Sequence, residues 1–344
     1  MPDETTHENR KLEHLRINLK ENVQFRQTTN GFDRYRFTHQ ALPEINLANV
    51  SLAAQFFGKD LRAPILISSM TGGAHEAERI NLNLATAAQA TGIALGLGSQ
   101  RAALEDSALA YTYQVRRVAP DILLFANLGA IQLNDTYTLD ECRRAVEMIR
   151  ADALILHLNA IQEAVQAGGN TNWRGLLTKI EQVCRALAVP VIAKEVGFGI
   201  SEDAARQLAN AGVAAIDVAG AGGTSWTAVE AYRAPSSFLR ELAEAFWEWG
   251  IPTAESLVRA RRGAPQLPVI ASGGIRDGVD AAKSIALGAH LVGYASPMLR
   301  LADRGIEDTI AGIKMIEEQL RVAMFGIGAE NLDALRNTPH LEKV

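Results

Sequence analysis

Eight short, almost wholly apolar runs recur along this 344-residue chain, at 63–70, 93–99, 121–129, 153–159, 190–197, 214–223, 267–275 and 289–297. A strand with one wet face alternates apolar and polar residues; most of these runs do not, so they read as strands covered on both faces. Helical patterns separate them. Ile80, Leu84, Ala87 and Ala88 follow an i, i+4, i+7, i+8 spacing. Thr138-Leu-Asp-Glu141 has the form of a capping box ahead of Ala145, Val146 and Ile149. Asp277 precedes Val279, Ala282, Ile285 and Ala286, and Gly288 fits the residue after a helix end. Successive strand ends mostly lie about 30 residues apart, the size of one βα unit. Eight such units predict an α/β chain closed into a (β/α)8 TIM barrel. An open, doubly wound sheet is the alternative.

Three parts lie outside the repeat. Residues 1–62 form an N-terminal extension, expected to hold a helix and to cover the barrel. Residues 224–262 are a long loop insert after strand six. It carries Trp226, Trp247 and Trp249, three of the four tryptophans, and a helix expected over 237–249 that packs Trp247 on the barrel. Residues 302–344 read as a closing helix and tail beyond a core at 63–301. No low-complexity linker interrupts the chain, so 1–344 is expected to be one domain; α/β barrels of this size are common.

The net charge of −5 argues against nucleic acid as the main partner but allows an anionic small molecule. Cys142 and Cys184 fall in helical patterns and read as reduced packing residues, not a disulfide or metal pair. The polar start has no apolar leader core, and no apolar run reaches the roughly 18 residues of a membrane span. A cytoplasmic protein is expected.

A (β/α)8 barrel brings its C-terminal strand ends to one mouth. Strand four ends in His157-Leu-Asn-Ala-Ile-Gln-Glu163. His157 and Asn159, two apart on a strand, point the same way; Gln162 and Glu163 follow at its end. Imidazole, two amides and a carboxylate suit a polar substrate and a hard metal such as Mg2+. A strand cap with a solvated loop is the plainer reading.

The ends of strands six to eight hold Gly220-Ala-Gly-Gly-Thr224, Ser272-Gly-Gly-Ile-Arg276 and Ala295-Ser296. Glycines let backbone amides approach a phosphate, and barrels often bind phosphate after strands seven and eight. Lys194 sits inside an apolar strand, where it needs an anionic partner or a lowered pKa. Three readings stand: a Schiff-base lysine, a lysine facing the N1–C2 edge of a flavin, or an ion pair with Glu195 or Asp217. In the flavin reading Asn127, Ser99 and Thr71 hydrogen-bond the ring edge.

With these residues assembled, the chain resembles the type 2, FMN-dependent isopentenyl-diphosphate delta-isomerases from about Arg10 to Gly328. The matching pieces are Arg10-Lys-Leu-Glu-His14, Met70-Thr-Gly-Gly73, Gly98-Ser-Gln-Arg101, Asn127-Leu-Gly129, His157-Leu-Asn-Ala-Ile-Gln-Glu163, Lys194-Glu-Val-Gly197, Ala219-Gly-Ala-Gly-Gly-Thr-Ser-Trp226, Trp249-Gly-Ile-Pro-Thr253 and Ser272-Gly-Gly-Ile275. The Arg-Lys start, the His-x-Asn-x-x-Gln-Glu run and Gly-Gly-Thr-Ser-Trp together are specific to that family.

The resemblance implies reversible conversion of isopentenyl to dimethylallyl diphosphate, with reduced FMN as the acid and base. Mg2+ would sit on the diphosphate, and NADPH or NADH would only prime the flavin. It implies that Ser69, Met70, Thr71, Ser99, Asn127, Lys194, Thr224, Gly273, Gly274, Ile275, Ala295 and Ser296 bind FMN. Arg10, Lys11, Ser99, Arg101, His157, Asn159 and Gln162 would bind substrate, with His157, Asn159 and Gln162 at the reacting centre and Gln162 assisting proton transfer. Glu163 would hold the metal. A hydroxyl residue is expected in some relatives where Ala219 stands, so one FMN contact would be missing. A homotetramer or homo-octamer is implied.

The rival is an FMN-dependent oxidoreductase on the same barrel. An α-hydroxy-acid oxidase would want a His–Arg constellation, and a nucleotide dehydrogenase a loop cysteine; neither can be assembled here. A non-catalytic flavin or phosphate binder would not need Gln162 and Glu163.

Overall fold

The computed structural model describes residues 7–344 and closes the eight apolar runs into one parallel barrel. Strands one to eight are Ile65–Ile67, Ala94–Gly96, Leu124–Gly129, Ala153–Leu158, Val191–Glu195, Ala215–Asp217, Val269–Ser272 and Leu291–Tyr294. Each pairs with the next, and strand eight returns to strand one through Val292↔Ile65. That last pairing excludes the open sheet. The strands are shorter than the apolar runs, and in all but strand three the last residues of the run leave the ladder at the mouth. The polar start falls largely on residues 1–6, outside the described residues.

Hydrophobic burial organises two layers of core. The larger lies between the barrel and its helices and includes Ile80, Leu84, Ala87 and Ala88 of the helix His75–Thr91. The smaller fills the N-terminal end of the barrel. There the hairpin Ala54–Phe56 and Lys59–Leu61 acts as a plug. Its two central residues, Phe57 and Gly58, have φ of 47° and 76°. Two left-handed residues are what a tight hairpin turn requires. Phe56 inserts against Phe125, with ring centroids 6.4 Å apart.

The expected local signals hold. Thr138 and Glu141 form the capping box of the helix Leu139–Ile149. Asp277 caps Gly278–Ala286, and Gly288 follows with φ of 101°. Cys142 and Cys184 are free thiols, and burial raises their pKa values to about 12 and about 11.

The segments outside the repeat fold back on it. The helix His7–Lys20 lies across the mouth of its own barrel. Beyond the 20-residue helix Ile306–Phe325, the tail ends in a strand, Leu341–Lys343, paired antiparallel with Tyr35–Phe37. The insert forms three helices, Trp226–Arg233, Ser237–Ala245 and Thr253–Gly263. The middle one stops four residues before the expected end at 249. Beyond its end Glu248 accepts hydrogen bonds from the amides of Arg26, Gln27 and Thr28. Trp247 is buried as expected, donating from Nε1 to the Gln24 carbonyl, whereas Trp249 is 55% exposed.

The plug predicts a stability effect remote from the mouth. Phe56→Ala should lower the unfolding free energy by about 3–5 kcal/mol, the range for deleting a buried phenylalanine ring. Urea titration followed by circular dichroism checks this; a loss below about 1 kcal/mol would show that the hairpin does not close the barrel floor.

Candidate active site

The C-terminal strand ends enclose a cavity of about 670 Å³, to which all eight strand ends and the N-terminal helix contribute. This is the volume of an ordinary ligand pocket. The residues expected to bind FMN, substrate and metal all lie on its wall.

One side is built from small and hydroxyl residues. Strand one supplies Ser69, Met70 and Thr71, strand two Ser99, strand three Asn127, and strand five Lys194. The other ends supply Thr224, then Gly273, Gly274 and Ile275, then Ala295 and Ser296. Gly273 and Gly274 have φ of 106° and 68°, and a Cβ on Gly274 would stand 2.4 Å from the Gly222 carbonyl oxygen. Loops six and seven therefore meet backbone to backbone, which only glycine allows. Asn30 Nδ2 fixes that turn by donating to the Gly274 carbonyl at 2.9 Å. The buried hydroxyls of Ser68 and Ser69 have no hydrogen-bond partner among the described residues. Buried polar groups are rarely left so unless a ligand satisfies them. Ala219 also lines the cavity, with an unusual φ of 35°.

The ladder register sets the next feature. Gly129, His157, Lys194 and Asp217 are neighbours across strands three to six. His157 Nδ1 lies 2.8 Å from Asn127 Oδ1, so the ring donates there. Burial, then the charges of Lys11 and Lys194, push the His157 pKa down to about 3. The imidazole is neutral near pH 7. Lys194 Nζ donates to the Glu195 backbone carbonyl at 2.7 Å and lies 3.9 Å from Asp217 Oδ2. The Glu195 carboxylate does not pair with it at close range; it accepts from the amides of Val196, Gly197 and Phe198. Of the two acids considered, Asp217 is the partner. Burial raises the Asp217 pKa against the pull of Lys194 and of a 2.6 Å hydrogen bond from Ser272.

The other side is cationic. Arg10 and Lys11, from the N-terminal helix, meet Arg101 from the end of strand two. Burial lowers the Lys11 pKa to about 8, helped by Arg10 and Arg101. Burial and the charges of Arg101 and Arg233 lower that of Arg10 too, and its Nε has no hydrogen-bond partner among the described residues. Crowded, partly desolvated cations need an anion. Facing them, Glu163 accepts from Asn159 Nδ2 at 2.9 Å, Gln166 Nε2 at 2.7 Å and the Asn170 amide at 2.7 Å. Asn159, Gln162 and Glu163 are buried, so the plain solvated loop is excluded.

Sequence reading missed Glu230 and did not single out His14. Glu230 is 3% exposed and sits on the insert helix. Its Oε1 accepts from Gln162 Nε2 at 2.8 Å and lies 3.1 Å from His14 Nε2; its Oε2 accepts from Arg233 at 2.6 Å. Burial alone would raise its pKa, but the His14 contact, the Arg233 charge and the Gln162 amide hold it at about 2. Gln162 is thereby fixed at both ends, its Oε1 taking a 3.3 Å bond from Asn159. The only sequence signal was a glutamate inside the apolar run Ala228-Val-Glu-Ala231.

Glu230→Ala should cost about 3–5 kcal/mol, the range for stripping one partner from a buried charge network. Denaturant titration of the variant tests it. A loss near zero would show that His14, Arg233 and Gln162 do not depend on this carboxylate.

Comparison with known proteins agrees with this geometry. The family model described as FMN-dependent dehydrogenase matches residues 5–118 and 137–343. An isopentenyl-diphosphate delta-isomerase of Nostoc sp. is 51% identical, over 99% of this chain and 98% of that protein. The protein of the same name from Stutzerimonas stutzeri is 54% identical over 97% and 96%. Among solved structures, a lactate oxidase of Pediococcus acidilactici superposes with a TM-score of 0.65 at 18% identity, covering 92% of this chain and 86% of that one. A mandelate oxidase variant gives 0.62 at 19%, covering 96% and 91%; these two share the fold. With half its residues identical to those isomerases along nearly the whole length, and with the barrel mouth built as described, the chain belongs to the FMN-dependent isopentenyl-diphosphate delta-isomerase family.

Proposed function

We propose that the protein interconverts isopentenyl diphosphate and dimethylallyl diphosphate. One arrangement carries this reading: Arg10, Lys11 and Arg101 converge on a cavity that also holds Glu163 and a separate wall of glycines, hydroxyls and Lys194. The first set suits a diphosphate, and the second suits FMN.

The residues present fit that cofactor. The unpartnered Ser68 and Ser69 hydroxyls, the Gly273–Gly274 turn and Lys194 would hold it, with Thr71, Ser99, Asn127, Thr224, Ala295 and Ser296 around it. Reduced FMN supplies, when bound, the acid–base chemistry at an alkene carbon that no side chain here offers. NADPH or NADH would serve as its occasional reductant. Mg2+ fits Glu163. Among the described residues no three His, Cys, Asp or Glu side chains converge as metal ligands. A magnesium ion held by one carboxylate, diphosphate oxygens and water needs no more.

The protein's own groups then divide the work. Arg10, Lys11 and Arg101 neutralise the diphosphate and fix its end of the substrate. Neutral His157 and Asn159 line the substrate beside it without adding charge. Gln162, clamped between Glu230 and Asn159, presents its amide edge beside the reacting carbons. Leu15, Met70 and Trp226 on the wall exclude water from the hydrocarbon tail. In the same reading the whole chain is one catalytic unit, acting in the cytoplasm as a homotetramer or homo-octamer. No helix among the described residues is long and apolar enough to cross a membrane.

Anaerobic incubation with FMN, Mg2+, isopentenyl diphosphate and substoichiometric NADPH should give many dimethylallyl diphosphate molecules per NADPH consumed. Glu163→Gln should lower turnover at limiting Mg2+ at least about 10–100-fold. Yellow, FMN-loaded protein that makes no product would move the assignment to an oxidoreductase.

The Lys11 pKa near 8 gives a second test. The ammonium is charged below that pH and neutral above it, and only the charged form attracts a diphosphate. Affinity for inorganic diphosphate, measured by calorimetry from pH 7 to 9.5, should be full below about pH 8 and fall above it. Lys11→Met should bind more weakly at pH 7 and lose that fall; an unchanged profile in the variant would remove Lys11 from the site.

A further inference from the structure

We propose that Asp217 is a positioning residue for Lys194, a buried carboxylate that holds the lysine in place and limits how much of its charge reaches the cofactor. The inference rests on the FMN reading above. Its starting point is the register, which pairs Lys194 and Asp217 directly across strands five and six. Asp217 is completely buried, and no solvent shares its charge. Its Oδ1 accepts from Ser272 Oγ at 2.6 Å, the length of a hydrogen bond to an ionised oxygen. Its Oδ2 makes no hydrogen bond and lies 3.9 Å from Lys194 Nζ. The lysine in turn spends one N–H on the Glu195 carbonyl, and the Glu195 carboxylate is taken up by three amides. Asp217 is therefore the one side-chain acid within ion-pairing distance of Lys194 among the described residues. A buried ammonium without a counter-charge is less well held in its place.

The pairing has an electronic consequence. Reducing a bound flavin adds negative charge, which a nearby ammonium favours and a carboxylate behind it offsets. With Asp217→Asn the lysine charge is uncompensated, so the midpoint potential of bound FMN should rise above that of wild type. In a Lys194→Met background the unpaired Asp217 is neutralised by a proton, so adding Asp217→Asn should leave the potential where Lys194→Met put it.

The experiment is a dye-referenced reductive titration of FMN bound to wild type, Asp217→Asn, Lys194→Met and the double variant. A potential raised by Asp217→Asn only when Lys194 is present supports the pairing. No shift in either background overturns it, and an equal shift in both shows that Asp217 does not act through Lys194. If Asp217→Asn does not accumulate as folded protein, thermal stability decides. A double variant more stable than Lys194→Met supports the buried pair, and one no more stable overturns it. Wild type that fails to retain FMN would instead sink the cofactor reading itself.

Discussion

The site depends on closure of the parallel ladder. A strand's amides and carbonyls are satisfied only by neighbours on both sides, and a sheet of this curvature leaves no edge only when strand eight meets strand one. Closure forces all eight C-terminal ends to one mouth. It also fixes height, so that Gly129, His157, Lys194 and Asp217 stand side by side although each belongs to a different βα unit. With the hairpin around Phe56 and Phe57 filling the opposite end, polar chemistry has one place to go.

Within that mouth, charge is arranged by use. The chain is acidic overall, with a net charge of −5, yet Arg10, Lys11 and Arg101 face one cavity. Local potential follows the nearest few charges, so a negative total is compatible with an anion site. The two buried glutamates take different parts. Glu230 is fully engaged by Gln162, Arg233 and His14 and acts as a fixed anchor. Glu163 is oriented by amide donors, with no cation within ion-pair distance among the described residues, and stays available to a hard cation.

The N-terminal segment and the insert after strand six work as one cover. The amides of Phe25 and Ser225 donate to the carbonyls of Gly223 and Val23 at 3.0 and 2.8 Å. Glu248 gathers three amides of residues 26–28, and Arg26 lies 3.7 Å over the Trp247 ring. This interlock carries the preceding helix, with Arg10, Lys11 and His14, over the mouth. A substrate-binding cation near residue 10 thus depends on an insert more than 200 residues away.

The apolar runs, caps and glycine pairs were readable because each is a local signal. Burial on both faces shows as unbroken hydrophobicity, a cap as Thr138 with Glu141, and a backbone-to-backbone contact as Gly273-Gly274. The sequence by itself therefore determined the eight strands and the residues that end them, while the pairing of strand eight with strand one decided for the closed barrel over the open sheet. Glu230, the choice of Asp217 over Glu195 as the partner of Lys194, the early stop of the helix before Glu248 and the seat of the N-terminal helix over its own mouth left almost no local trace. Only the tertiary structure decided these, because a buried charge is defined by what surrounds it. Those surroundings come from strands and helices that the chain brings together only when the barrel closes.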